Sequence, residues 1–383
     1  MKSLRIIVAH NSYRERGGED AVVDAEIALL RGNGHDVTEY RHDNSTLAKL
    51  PQWELLQKTL WSRAAAQEFS VMLRAVSPDV VHVHNTFPLL SPAIYWASSS
   101  AGVPVVQTLH NFRLLCAQAM FLRNGRVCED CLGRLPWRGV ARKCYRDSST
   151  QSAALVGMLA LHRGLGTYRR KVSRYIALSQ FSRGKFIEGG LPDHLIAVKP
   201  NFVTPQREGH GERKGCLFVG RLSIEKGLHV LANALAKLPD ATCDVIGTGP
   251  QMHLLADNTR VRLLGQQSEA AVLEAMHKAA YLVMPSICYE QFPRTLVEAF
   301  ACGLPVVASR LGPLGELIEH GRTGLLFEPG SAGDLADKLQ FAASAPQAMR
   351  QMGDNARAEY AAKYTPQRNH DQLMEVYSAA MHH

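Results

Sequence analysis

The stretch YLVMPSICYEQFPRTLVEAFACGLPVVAS (281–309) reads as strand, loop, helix and strand. YLVMP is a short apolar run, the mark of a buried parallel strand. SICYEQF has no periodicity and forms a loop. Pro293 suits the first position of a helix, where its missing N–H would lack a partner anyway. RTLVEAFAC continues that helix, Gly303 ends it, and PVVAS is the next strand. Glu290 therefore lies on a loop at the carboxyl end of a strand, beside a helix N-terminus. Glu298 lies one to two turns into the helix. Ligands of open α/β sheets bind at such places. Free N–H groups at a helix start suit a phosphate, and a carboxylate accepts hydrogen bonds from sugar hydroxyls. A plainer reading stands beside this one. Glu298 follows Arg294 by four residues, close enough for a surface ion pair worth about 0.2–0.5 kcal/mol, and Glu290 can be a solvated loop residue.

Outward from this unit the same alternation fills the chain. LRIIVA, DVTEY, DVVHVH, VPVVQTL and RYIALS are strand candidates in the first half, with amphipathic stretches such as DAVVDAEIALLRG and WELLQKTLWSRAAAQEFSVMLRAV between them. CLFVG, ATCDVIG, RVRLLG, YLVMP, PVVAS and GLLFEP follow in the second half. Strands alternating with helices predict doubly wound parallel sheets, and 383 residues are enough for two of them. The expected division is a first domain over 1–203, broken by an irregular cysteine-bearing insert at 111–150. A polar linker at 204–214, a second domain over 215–364 and a C-terminal helix over 365–383, able to pack back on the first domain, complete it.

Hydrophobic content of 46% and charged content of 20% are those of a globular protein. MKSLRIIVAHN is apolar over too few residues for a signal peptide and reads as a first strand, so a cytoplasmic location is expected. The net charge is +8. Between Arg138 and Arg174 there are nine Lys and Arg against one Asp, around the apolar run SAALVGMLAL. Such a segment can rest on an anionic membrane, making the protein peripheral on its inner face; it can equally be an amphipathic helix with a solvated basic face. No nucleic-acid motif accompanies the charge.

Four motifs carry chemistry. LFVGRLSIEKGLHVL (217–231) is a strand, turn and helix in which Gly220 permits close approach and Arg221 and Lys226 offer cations to a diphosphate. VIGTGP (245–250) puts Gly247 and Gly249 at another strand–helix turn. HNSYRERGGED (10–20) follows the first strand, and Gly17 and Gly18 can present N–H groups to a phosphate. TLHN (108–111) puts His110 at a strand end, where it can donate to a sugar hydroxyl; His82 and His84 read as core-edge residues. Cys116, Cys128, Cys131 and Cys144 lie in the insert, with a spacing that allows a structural zinc site. The full G-x-G-x-x-G fingerprint is absent, which counts against a nicotinamide oxidoreductase. No D-x-D triplet occurs, so no catalytic metal is expected on the diphosphate.

Gly17–Gly18, His110, GRLSIEKG, IGTGP, Glu290 to Glu298, CGLPVVAS and GRTGLLFEPG run in the order found in the retaining group 1, or family 4, nucleotide-sugar glycosyltransferases, and the chain resembles that family over nearly its whole length. The insert, with HNFRLLC, VCEDC and RKCYRDS, looks like a bacterial cell-surface polysaccharide subgroup. The resemblance implies the GT-B fold, two doubly wound Rossmann-like domains facing across a cleft. It implies a UDP- or GDP-sugar donor, a glycan or polyprenyl-linked acceptor and no catalytic cofactor. Arg221 and Lys226 would bind the diphosphate. Glu290 would hold the transferred sugar, with backbone amides of Phe292, Arg294 and Thr295 nearby. Glu298 would bind the ribose, Gly247 and Gly249 would lie by the nucleobase, and His110 would contact the donor sugar. Gly312-Pro313 and Gln291 depart from the family pattern and leave the donor open. Retention is expected by same-face attack of the acceptor hydroxyl, with the leaving phosphate taking its proton. A nucleotide-sugar 2-epimerase of the same fold is the nearest rival, and a non-catalytic two-domain sugar-binding protein is the rival from another class.

Overall fold

A computed structural model describes residues 3–13, 17–44, 51–204 and 212–382. Part of the expected linker, 205–211, lies outside them. The chain divides into two compact units. The first comprises residues 1–121, 129–200 and 367–383; the second comprises 122–128 and 201–366. The chain thus changes unit after Pro200, three residues before the expected boundary, and Leu122–Cys128 of the insert groups with the second unit.

The first unit is built on β1 (Arg5–Ser12), β2 (Asp36–Asp43), β3 (Val80–Asn85) and β4 (Val105–Thr108). After a two-residue antiparallel pair, β5 (Leu122–Arg123) and β6 (Arg126–Val127), come β7 (Arg174–Ala177) and β8 (Ile196–Val198). The sheet order is β2-β1-β3-β4-β7-β8 and every pairing is parallel. All residues of β3 and β4 are buried, as strands covered on both faces must be. Edge strand β2 instead buries only Val37 and Tyr40. The order reverses between β1 and β3, so the loop after β1, which carries Gly17, leaves from the switch point where such sheets bind ligands.

Two readings change. The stretch 53–76 is two helices, Gln52–Trp61 and Arg63–Val76. Ser62 breaks the run with an extended backbone and accepts from Ala65 N–H, capping the second helix. The strand β8 was not anticipated. The final helix, Pro366–Met381, contributes to the first unit from Gln367 onward. Its Asn369 accepts from Lys199 Nζ at 3.1 Å and donates to the Pro200 carbonyl, and its Tyr377 hydroxyl meets His82 Nδ1 at 2.8 Å.

The second unit has β9 (Cys216–Val219), β10 (Cys243–Ile246), β11 (Val261–Gly265), β12 (Tyr281–Met284), β13 (Val306–Ser309) and β14 (Gly324–Phe327). Their order is β11-β10-β9-β12-β13-β14, again all parallel. Here the switch point falls between β9 and β12. GRLSIEKG leaves the carboxyl end of β9 and SICYEQF that of β12, so topology alone sets these two loops side by side. Cys216, Cys243, Cys288 and Cys302 are buried among the apolar core, as their positions in apolar runs imply.

Candidate active site

Three loops of the second unit are tied into one surface by main-chain hydrogen bonds. Gly220 N–H donates to Ile246 O at 3.0 Å, Leu222 N–H to Thr248 O at 2.8 Å, and Gln251 N–H to Leu222 O at 2.8 Å. The loop after β12 joins through Ile287 N–H to Glu225 O at 2.9 Å. Glycine is required where these loops touch. Gly247 has φ 134°, and a Cβ there would lie 1.9 Å from the Gly220 carbonyl oxygen. Gly249 has φ 157°, and its Cβ would lie 2.4 Å from that of Leu222. The G-x-G in VIGTGP is thus a fastening for GRLSIEKG.

The fastening brings Lys226 to Glu290. Lys226 Nζ donates to Glu290 Oε1 at 2.6 Å, and Ser286 Oγ donates to the same oxygen at 2.8 Å. Burial pushes the Glu290 carboxyl up, but the Lys226 charge and the two hydrogen bonds outweigh it and hold it below the ordinary value. Burial likewise pushes Lys226 down, and Glu290 more than reverses that. Glu225 bonds to Ser223, so Lys226 turns to Glu290 instead of its sequence neighbour. Ser286 escaped the sequence reading; it sits two residues beyond β12 with no motif to mark it. Arg221 is exposed on the same loop as Lys226.

Pro293 is the cap of the helix Arg294–Ala301, one residue outside it, and no side chain caps that helix. Gly303, at φ 62°, closes the end. Arg294 Nε reaches Glu298 Oε1 at 2.8 Å, so the plainer i,i+4 pairing is present, and Arg294 also meets Glu269. Glu298 is nonetheless largely buried, and burial raises its carboxyl above the ordinary value despite Arg294. Its electrostatic setting is opposite in sign to that of Glu290. Phe292 is buried, with its carbonyl accepting from Asn201 Nδ2 at 3.4 Å, while Thr295 opens the helix half-buried. Gln291 is half-buried, and both its amide atoms are buried without a hydrogen-bond partner.

In the first unit, Gly17 and Gly18 are exposed at the start of the helix Gly18–Gly32. Asp20 fastens their loop. It accepts from Gly17 N–H at 2.9 Å and Tyr13 N–H at 3.3 Å, and lies 2.8 Å from His10 Nε2. Burial pushes Asp20 up, but His10 and the two N–H groups outweigh it. His110 follows β4, half-buried, with Nε2 2.8 Å from Nδ1 of His84 and the two ring planes 22° from parallel. His82 and His84 are buried in the core beside Glu26, not at its edge.

Among the described residues, which include all eight cysteines, there is no disulfide. Cys116 is buried and Cys128, Cys131 and Cys144 are half-buried. Within the basic stretch the helix Ser149–Gly164 carries only Arg163 of the nine Lys and Arg; it buries Leu155, Val156, Met158 and Leu159, and leaves Leu161, with Leu165 just beyond its end, exposed. Among the described residues no helix is long and apolar enough to cross a membrane.

Comparison with known proteins gives the family. The family model described as Glycosyl transferases group 1 matches residues 203–359, and that described as Glycosyltransferase Family 4 matches residues 16–207. An uncharacterised glycosyltransferase of Methanocaldococcus jannaschii is 31% identical over 89% of this chain and 86% of its own. A D-inositol 3-phosphate glycosyltransferase of Pseudarthrobacter chlorophenolicus is 29% identical over 72% of this chain and 64% of its own. Anabaena HepE, crystallised with UDP-glucose, matches with a TM-score of 0.69 at 19% identity, covering 98% of this chain and 100% of that one. Sucrose-phosphate synthase of Thermosynechococcus elongatus matches at 0.72 and 17% identity, covering 97% and 98%. At these identities the structural likeness is one of fold, and that fold is GT-B.

Proposed function

Because this chain belongs to the group 1 and family 4 glycosyltransferases, we propose that it moves a sugar, with retention, from a nucleotide-sugar donor to a hydroxyl of a glycan or lipid-linked acceptor during cell-surface polysaccharide synthesis. The observation that carries the reading is the Lys226–Glu290 pair at the switch point of the second sheet. A leaving diphosphate needs a fixed cation, and a sugar ring needs an acceptor for its hydroxyls; the pair supplies both within one hydrogen bond. Lys226 and Arg221 hold the diphosphate. Glu290 holds the sugar, with the main-chain amides of Phe292, Arg294 and Thr295 at the uncapped helix start. Glu298 keeps Oε1 on Arg294 and turns its second oxygen to the ribose. Gly247 and Gly249 leave room by the base, Gly17 and Gly18 offer N–H groups to phosphate, and His110 contacts the donor sugar.

The acceptor hydroxyl attacks from the face that the diphosphate leaves, and a phosphate oxygen takes its proton. Orientation and stabilisation of the diphosphate by Arg221, Lys226 and the helix N-terminus supply the catalysis. The absence of a D-x-D triplet supports a reaction without catalytic metal. The spacing of Cys116, Cys128, Cys131 and Cys144 supports a structural zinc ion. Exposed Leu161 and Leu165 lie within the stretch of nine basic residues and exposed Leu135 and Trp137 just before it, which supports docking on an anionic membrane. Co-sedimentation with anionic but not neutral vesicles is the expected result; equal binding to both removes the membrane assignment.

The test of the activity is a thermal-shift panel of UDP, GDP, ADP and their sugars, followed by transfer with the donor it selects. A ligand that binds the native state raises Tm. Product anomers read by NMR decide retention. If the donor turns over with no acceptor present, the 2-epimerase reading replaces this one. If no nucleotide raises Tm, the donor site is withdrawn.

A further inference from the structure

Glu26 lies in the middle of the helix Gly18–Gly32, yet it is only 2% exposed. Oε2 accepts from Lys199 Nζ at 2.8 Å, and Lys199 is equally buried. Oε1 lies 3.0 Å from His82 Nδ1 and 3.3 Å from His84 Nε2. His82 has further partners in Tyr377 and Thr108. His84 Nε2 makes no hydrogen bond of good geometry; the Glu26 carboxylate at 3.3 Å is the charge that it faces. His84 Nδ1, in turn, faces His110 Nε2 at 2.8 Å. A chain of four groups therefore runs from a buried ammonium through a carboxylate and a core histidine to the histidine assigned to the donor sugar.

Proton positions along this chain follow from one another. Burial pushes the Glu26 carboxyl up, but Lys199 and His82 outweigh it and keep it ionised. An ionised carboxylate only accepts. The carboxylate charge 3.3 Å away favours the proton on His84 Nε2. Burial lowers His84 to about 3, so this ring is neutral and carries that one proton. Its Nδ1 is a lone pair, and the hydrogen bond to His110 must be donated by His110 Nε2. Burial and the neighbouring His84 ring keep His110 neutral as well. Its Nδ1 is then bare. The side chain assigned as a donor to a sugar hydroxyl becomes an acceptor from one.

We propose that Glu26, held by Lys199 and acting through His84, fixes His110 as its Nε2–H tautomer, so that Nδ1 accepts a hydrogen bond from a hydroxyl of the donor sugar. Glu26 and His84 are positioning residues; neither meets substrate. The tautomer rests on the geometry and charge states of these buried groups, while its consequence for turnover rests on the glycosyltransferase reading. Glu26, His82 and His84 also have the ligand spacing of a cation site, their ligand atoms lying within 4.8 Å of one another. Lys199 already supplies the positive charge that a metal would bring.

Two measurements test this. Two-bond ¹H–¹⁵N correlation spectra of the full chain labelled with ¹⁵N-histidine report which nitrogen of each ring is protonated, without any substrate. His84 and His110 should both show Nε2–H at neutral pH. Nδ1–H on His110, or one equivalent of tightly bound metal with Glu26, His82 and His84 as ligands, overturns the proposal even if the transferase activity is confirmed. Kinetics then separate positioning from packing. His84→Asn offers an amide oxygen near the place of Nδ1 and should stay within about threefold of the parent. His84→Leu should lower kcat about 10- to 100-fold, the range for groups that orient a histidine from behind. In a His110→Ala background His84→Leu should cost nothing more; additive losses would mean that His84 only fills space. Absence of transferase activity in the parent withdraws the functional reading and leaves the tautomer to the spectra.

Discussion

Lys226 Nζ and Glu290 Oε1 meet at 2.6 Å although 64 residues separate them in the chain. The contact couples the cation assigned to the diphosphate with the carboxylate assigned to the sugar, so each holds the other's charge state before any ligand arrives. Changing Lys226 or Arg221 to Ala should lower kcat/KM between about 10- and 1,000-fold, as the loss of a charge stabiliser does. Lys226→Ala should do more, because it also releases Glu290. Near-normal kinetics in both variants would remove the diphosphate assignment.

The two glutamates should give stability opposite pH slopes. Glu290 is held below its ordinary 4.5, so its contribution is complete above that value and is lost as pH falls through the folded value. Lys226 is held above 10.5, so its share is present below 10.5 and lost only as pH rises through the folded value. Glu298 is raised above 4.5, so the folded state holds its proton longer and loses stability as pH rises through that window. Calorimetric Tm from pH 3 to 8 should show Glu290→Gln falling behind the parent as pH rises, and Glu298→Gln gaining on it. Equal slopes would contradict the two electrostatic settings.

Kinetically the same pair should separate by role. Glu290→Gln should lower kcat with donor saturating, since the residue touches the ring that reacts. Glu298→Gln should act more on donor KM, because the ribose is remote from the reacting carbon. Reversed effects would exchange the roles, and two variants like the parent would leave Glu298 as a partner of Arg294 alone.

Gly247→Ala should destabilise the second unit. The added methyl would meet the Gly220 carbonyl at 1.9 Å on a backbone of φ 134°. Strain of about 1–3 kcal/mol is expected, read as a Tm fall of roughly 2–4 °C per kcal/mol for a unit of this size. Gly18→Ala, with nothing within 4 Å of its Cβ, is the control and should leave Tm nearly unchanged.

Transfer should survive EDTA immediately after addition. Prompt inhibition reversed by Mg²⁺ would contradict catalysis by Arg221, Lys226 and a helix N-terminus. Elemental analysis tests the cysteine insert separately: about one zinc per chain is expected, and a trace amount would end that assignment.

Much of this architecture was legible because parallel strands buried on both faces must be apolar, and Val80–Val83 or Val306–Ser309 can hardly be anything else. The three-residue edge strand β8 was too short to stand out, and Ser62 interrupts an amphipathic pattern whose period continues through it. The loops were found through Gly220, Gly247 and Gly303, where backbone demands narrow the choice of residue. Glu26 and Lys199 were invisible, since a carboxylate inside an amphipathic helix reads as surface. The signal that could have exposed them was VHVH itself. Alternation puts His82 and His84 on one face of a fully buried strand, and two buried imidazoles side by side require polar partners from the elements packed on that face.

The helix Pro366–Met381 has a consequence for the order of synthesis. Tyr377 and Asn369 are partners of His82 and Lys199, deep in the first unit, yet the whole of 201–366 leaves the ribosome before them. The first unit therefore begins to emerge first and becomes complete last. Until its closing segment arrives, the buried ammonium and imidazole of that unit lack part of their cage, while the second unit has every residue it needs. For this chain, translation order and maturation order run in opposite directions.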